Sequence, residues 1–227
     1  MKCAIHQPNY LPWIGFFNKI STVECFVFFD SAQYSKNSGV INRTKIKGPN
    51  GPVFLTIPVE HRFVGHSIKT TELPQNKSWI KKHLRSIEMN YSNTRFFNDY
   101  FDSFKNVYLN TPKTLGELNI EFITFMLNIL DIKLKIVRSS DLNLNEEYKR
   151  TDSLIEILEK VNATEYLSGQ GGKSYLDEDK FKKIKLTYQY FNHPKYFQKY
   201  AAFEEGLSTL DLIFNEGPNA KHIIKEL

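Results

Sequence analysis

Apolar and polar positions change period along this chain, and the changes mark where elements begin and end. Residues 2–6 form a short apolar run closed by Gln7-Pro8, the pattern of a buried strand. Residues 13–20 fit a short helix with Pro12 near its first turn. Residues 24–30 are rich in strand formers and end on Asp30. Residues 40–47 and 52–59 alternate on either side of Gly48-Pro49-Asn50-Gly51, whose Asn-Gly pair predicts a hairpin with a four-residue connection. Residues 61–74 read as loop with a short strand. From residue 78 the period lengthens. Ile80, Leu84 and Ile87 share one helical face, and 95–107 and 114–130 continue the pattern. Ser78 and Thr114 are the expected N-caps, the latter with Glu117 at capping-box spacing. Strands then follow at 133–137, 165–167 and 185–191, with a helix at 153–162 and a helical turn at 178–183. The last expected helix is 208–214, stopped by Asn215-Glu216-Gly217-Pro218.

Strands that alternate with helices imply an α/β fold: a mostly parallel sheet flanked by helices, an antiparallel β-hairpin, and a helical insertion over about 78–130. No linker divides the chain, so residues 1–227 are expected to form one domain. The 14% aromatic content, with 18 Phe and 12 Tyr, suits both a large core and walls for a planar or sugar-like ligand. The net charge of +5 is spread along the chain, which fits an anionic small ligand as well as it fits a nucleic acid. Cys3 and Cys25 are the only cysteines, both in apolar strand contexts, and read as buried free thiols of a reducing compartment. No apolar run reaches the length of a membrane span or a signal segment, so a cytoplasmic location is expected.

Most familiar catalytic signatures are missing: there is no Walker loop, G-x-G-x-x-G, G-x-S-x-G or C-x-x-C. No metal site is expected: the two cysteines are far apart and, of the six histidines, only His61 and His66 have close spacing and read as loop residues, which leaves a metal held by His and carboxylates assembled in space as the alternative. The candidate chemistry lies at strand ends, where open α/β sheets bind ligands. His6-Gln7 and Asp30 end two successive strands. As parallel neighbours they would meet, with Asp30 orienting His6 as acid or base and favouring its protonated form. Ser168-Gly169-Gln170-Gly171-Gly172-Lys173 follows another strand and is the candidate phosphate nest, equally readable as a plain turn. Asn42 and Arg43 open a basic stripe whose guanidinium suits a phosphate or carboxylate. Trp79 and His83, one helical turn apart, read either as core or as site. His193-Pro194, with Tyr196 and Gln198, repeats the polar cluster at a strand end.

The run His6-Gln7-Pro8-Asn9-Tyr10-Leu11-Pro12-Trp13-Ile14-Gly15-Phe16-Phe17 resembles the WbqC-like protein family. So do Asp30, Gln33-Tyr34, Asn42-Arg43, Tyr166-Leu167-Ser168-Gly169, Tyr175-Leu176-Asp177, His193-Pro194 with Tyr196 and Gln198, and Leu207-Ser208-Thr209-Leu210-Asp211-Leu212. The likeness spans nearly the whole chain. It departs at Val40, where the family usually carries an aromatic, and at Thr44, where it often carries Asn. A fainter likeness is to nucleotidyltransferases with a His-x-Gly-His helix after the first strand, but here Trp13-Ile14-Gly15-Phe16 stands in that place.

The resemblance implies a role in O-antigen, lipopolysaccharide or other surface-polysaccharide biosynthesis rather than a defined reaction. The working expectation is a cytoplasmic transferase that places an acyl or aminoacyl group on a nucleotide-linked amino sugar. Its partners would be that nucleotide-sugar and a nucleotide or activated acyl or aminoacyl donor. His6 would be the catalytic base and Asp30 its orienter. Gln7, Asn9, Tyr10, Trp13, Gln33, Tyr34, Asn42, Arg43, Ser168, Gly169, Gly171, Gly172, Lys173, His193, Tyr196 and Gln198 would bind substrate. Two other readings stay open: a non-catalytic protein that presents a sugar intermediate, and an aminoacyl-tRNA-dependent transferase whose tRNA binding would be steeply salt-dependent.

Overall fold

Five parallel strands build the central sheet: β1 (Lys2–His6), β2 (Cys25–Phe28), β5 (Lys135–Arg138), β6 (Glu165–Ser168) and β7 (Lys185–Tyr188). This computed structural model describes residues 1–35, 39–200 and 202–226. The strand order is β5-β2-β1-β6-β7, with β1 in register with β2 from Cys3↔Cys25 to His6↔Phe28. The order reverses at β1. In doubly wound sheets that reversal opens a crevice at the carboxyl ends of the strands. β3 (Arg43–Gly48) and β4 (Gly51–Thr56) form a separate antiparallel pair. Gly48 pairs with Gly51, so the hairpin connection is two residues, not the four expected. No strand forms between residues 61 and 74; short 3-10 turns stand there instead.

Alternation along each strand sorts the sheet into two faces. Ala4, Phe26, Phe28 and Leu167 join the larger core, covered by α1 (Ile14–Ser21) and by the helices of the insertion, α2 (Ser78–Tyr91), α3 (Phe97–Leu109) and α4 (Leu115–Ile129). Cys3, Ile5, Cys25, Val27 and Tyr166 face α5 (Thr151–Lys160), where both cysteines are fully buried and free. Thr114 caps α4 by accepting from the Glu117 amide, as expected. Ser78 does not cap α2; Lys77 stands at the N-cap without a side-chain bond, and the Ser78 amide donates to Asn76 Oδ1. After α6 (Thr209–Glu216) the chain does not stop being helical. Gly217–Asn219 make one 3-10 turn, and α7 (Ala220–Lys225) follows because Ala220 and Ile224, four apart, need burial. Among the described residues no helix is long and apolar enough to cross a membrane.

Candidate functional site

The loop after β1 is held from three sides. Asn119, buried on α4, donates its amide to Pro8 O and Ile41 O at 2.8 and 2.7 Å, tying the loop to the entry of the hairpin. Tyr10 N–H donates to Val40 O, and Thr44 Oγ1 donates to Leu11 O. Leu11 itself sits at φ 43°, a left-handed conformation that a branched residue keeps only when its surroundings enforce it. Beneath the loop, Tyr10 Oη donates to His83 Nδ1 at 2.8 Å and also meets Tyr108 Oη, while His83 Nε2–H donates to Thr56 O at 3.1 Å. Burial pushes His83 down to about 4, so the imidazole is neutral and this tautomer is fixed. His83 therefore supports the site through Tyr10.

Above this floor lies a pocket of about 180 Å³, lined by Asn9, Tyr10, Trp13, Val40, Arg43, Lys45 and Phe54 among others. The Arg43 guanidinium lies 3.7 Å over the Phe54 ring, and the Lys45 ammonium donates to Glu205 O. Neither cation forms an ion pair with an acid among the described residues. Asn9 is buried and its Oδ1 has no partner. Trp13 closes one end against Phe191 and His193, with ring centroids 4.9 and 6.4 Å away. Its indole folds back over the first turn of α1. A Cβ at Gly15 would stand 2.4 Å from that ring, so only glycine fits there.

His6 precedes this pocket by three residues. Its Nδ1 lies 2.9 Å from Gln7 O, and since a carbonyl only accepts, Nδ1 carries the proton and Nε2 presents a lone pair. Dense burial pushes its pKa down to about 3, with the Lys19 charge adding to the effect. His6 is thus a neutral base, whereas the sequence suggested a carboxylate-paired, protonated one. The Asp30 pairing is not formed. Asp30 is buried and accepts from Ser139 Oγ and Ser140 N on Oδ1 and from Ser140 Oγ on Oδ2, at 2.8–3.0 Å. The two serines end β5, on the far side of β2, and three donors hold the carboxylate there.

The glycine-rich loop also differs from expectation. An anion nest alternates right- and left-handed residues, but none of Gly169, Gly171 and Gly172 has positive φ. Residues Gln170–Ser174 instead form a 3-10 turn, with Gly172 N–H bonded to Gly169 O. Ser168 is buried, its hydroxyl donates to Gly169 O, and Lys173 lies over the Tyr188 ring. The remaining candidates hold structure. Asn42 clasps Ile57 through side chain and backbone, and Tyr34 is buried with backbone bonds to His66 and Gly65. Gln33 makes an isolated bridge with Ser67. His193 Nε2 accepts from the Gly206 amide, and Gln198 makes two bonds to Glu204. Tyr196 donates to Asp211, whose pKa burial raises to about 6. Of the expected substrate ligands, Asn9, Tyr10, Trp13 and Arg43 converge on the pocket. No three His, Cys, Asp or Glu side chains cluster as metal ligands among the described residues.

A doubly wound parallel sheet, with its strand-order reversal beside a neutral histidine, defines this as an α/β protein with a cation-lined pocket beyond the end of β1. The chain belongs to the WbqC-like protein family, whose model matches residues 7–223. It is also similar to "Uncharacterized protein Rv1507c" of Mycobacterium tuberculosis (strain ATCC 25618 / H37Rv), at 32% identity over 99% of this chain and 97% of that one. No solved structure matches it.

Proposed function

We propose that this protein is a group-transfer enzyme of surface-polysaccharide biosynthesis, placing an acyl or aminoacyl group on the amine of a nucleotide-linked amino sugar. The observation that carries the reading is the free Nε2 lone pair of His6, three residues before the pocket that holds Asn9 and Arg43. The amine nitrogen attacks the donor's carbonyl carbon. His6 Nε2 takes the proton the nitrogen sheds as the amide forms, and the donor's leaving group departs with the electron pair of its bond to that carbon. An imidazole held neutral accepts this proton without first having to lose one. The pocket, smaller than the ~300–1,000 Å³ usual for whole ligands, suits one sugar or phosphate unit, with the rest lying across the exposed rim of Trp13 and Phe54.

The test is turnover of acyl-thioester and aminoacyl donors with nucleotide-linked amino sugars, followed by product mass. His6→Gln should lower the rate about 10²–10⁴-fold while the melting temperature stays near that of the wild type. A fully active His6→Gln enzyme would remove His6 from the mechanism.

A further inference from the structure

Three cations, Arg43, Lys45 and Lys47, alternate along β3, and two of them are engaged with backbone. The Lys47 ammonium is buried and donates to Ala202 O, and the Lys45 ammonium donates to Glu205 O at 3.2 Å, so both hold residues 202–205 beside the hairpin. A carbonyl leaves the Lys45 charge uncompensated. Arg43 has no hydrogen bond among the described residues. Phe54, which pairs with Lys45 one diagonal step away, covers one face of the Arg43 guanidinium and leaves its in-plane N–H fork unused. Asn9 lines the same pocket from the β1 loop, is only 5% exposed, and its Oδ1 has no partner. A buried amide oxygen without a donor is costly, and the pocket is where a donor can come from. The other polar side chains of the lining are occupied: Tyr10 Oη bonds to His83, and Thr44 Oγ1 donates to Leu11 O. No acidic residue lines the pocket. The chemistry on offer is therefore two cations and one acceptor, beside the partly exposed rings of Trp13 and Phe54.

Two cations require an anion, and a buried acceptor requires an O–H or N–H. A phosphate ester supplies only the first and an uncharged sugar only the second. We propose that this pocket reads a glycosyl phosphate, one ring that carries both. Arg43 and Lys45 hold the anomeric phosphate, Asn9 Oδ1 accepts from a ring hydroxyl or N–H, and Trp13 and Phe54 cover C–H surface. This deepens the transferase reading and rests on it for the source of the anion: a nucleotide-linked sugar carries its phosphate on the anomeric oxygen. A uronic acid presents the same pairing through a ring carboxylate, and titration tells the two apart. At about 180 Å³ the pocket has no room for the nucleoside as well, so recognition falls on the sugar end and not on the base.

The experiment is titration calorimetry of glucosamine 1-phosphate into the full chain at low salt, with methyl phosphate, glucosamine and glucuronate as the comparison ligands and thermal melting of each variant. The wild type should bind glucosamine 1-phosphate about tenfold or more tightly than any of the three. Arg43→Met, at an exposed position and melting as wild type does, should weaken glucosamine 1-phosphate about 10–100-fold. Asn9→Leu replaces an unpaired amide by an apolar group of similar size. It should melt at or above the wild-type temperature and lose about five- to tenfold of the preference for glucosamine 1-phosphate over methyl phosphate. No binding by the wild type, tighter binding of glucuronate, or an unchanged preference in Asn9→Leu would overturn the assignment. So would an Asn9→Leu protein that melts lower, because the amide would then be structural. The titration involves no turnover. An active transferase that fails to bind glucosamine 1-phosphate removes the pocket assignment alone, and a fully active His6→Gln enzyme that binds it removes the base alone.

Discussion

Two loops leave neighbouring strands at the reversal of strand order: residues 7–13 after β1 and residues 169–174 after β6. Composition offered the second, with three glycines and a lysine, as a phosphate nest or a plain turn. The structure gives the pocket to the first. The β1 loop is pulled outward by bonds to α4 and the hairpin, which leaves Asn9 Oδ1 without a partner and Arg43 and Lys45 without acids. The β6 loop turns its amides onto its own carbonyls and buries Ser168, whose hydroxyl donates to Gly169 O. A loop becomes a site when its neighbours hold it open. Glycine content only permits a shape; it does not select one.

The comparison can be broken first at its foundation. Phe16 packs edge-on against His6 at 5.1 Å and against Phe26 at 5.6 Å. Phe16→Ala should cost about 3–5 kcal/mol in chemical unfolding, and a smaller loss would mean that the β1 loop does not depend on the core beneath it. Next is the closed loop. A Cβ at Gly172 would stand 2.1 Å from Ser168 Oγ and 3.0 Å from Leu176, so Gly172→Ala should destabilise by about 1–3 kcal/mol in chemical unfolding. Unchanged stability would mean that the β6 loop is not packed shut against Ser168 and Leu176.

Acid sharpens the contrast further. His6 titrates near 6.5 when unfolded and about 3 when folded, so the unfolded state binds the extra proton between those values. Its contribution therefore lowers stability as pH falls below 6.5. His83, about 4 when folded, acts in the same direction, whereas Asp211, raised to about 6, opposes both below that pH. His6→Gln should flatten the acid limb of stability against pH, recovering about 1–2 kcal/mol near pH 5. An acid limb identical to that of the wild type would place His6 in water. The smallest effect belongs to Gly171, where an added Cβ meets nothing. Gly171→Ala should change stability by about 1 kcal/mol or less, toward greater stability, which thermal melting can check against Gly172→Ala.

Much of the scaffold was legible because it is local. Strand and helix periods, the Thr114 cap and the Asn-Gly turn each depend on residues within a few positions of one another. The family was legible too, from the run that begins at His6.

What the tertiary structure alone decided is which polar groups are left unpaired. Asp30 looked like a partner for His6 because β1 and β2 are neighbours. β5 lies on the other side of β2, and its end brings two serines that hold the carboxylate with three bonds. Tyr10 and His83 are 73 positions apart, and Asn119 is 111 from the carbonyl it clasps, so no local pattern could join them. Hydrogen bonding is competitive. A side chain's role depends on every donor and acceptor within reach, and those distances are set only when the whole chain has packed.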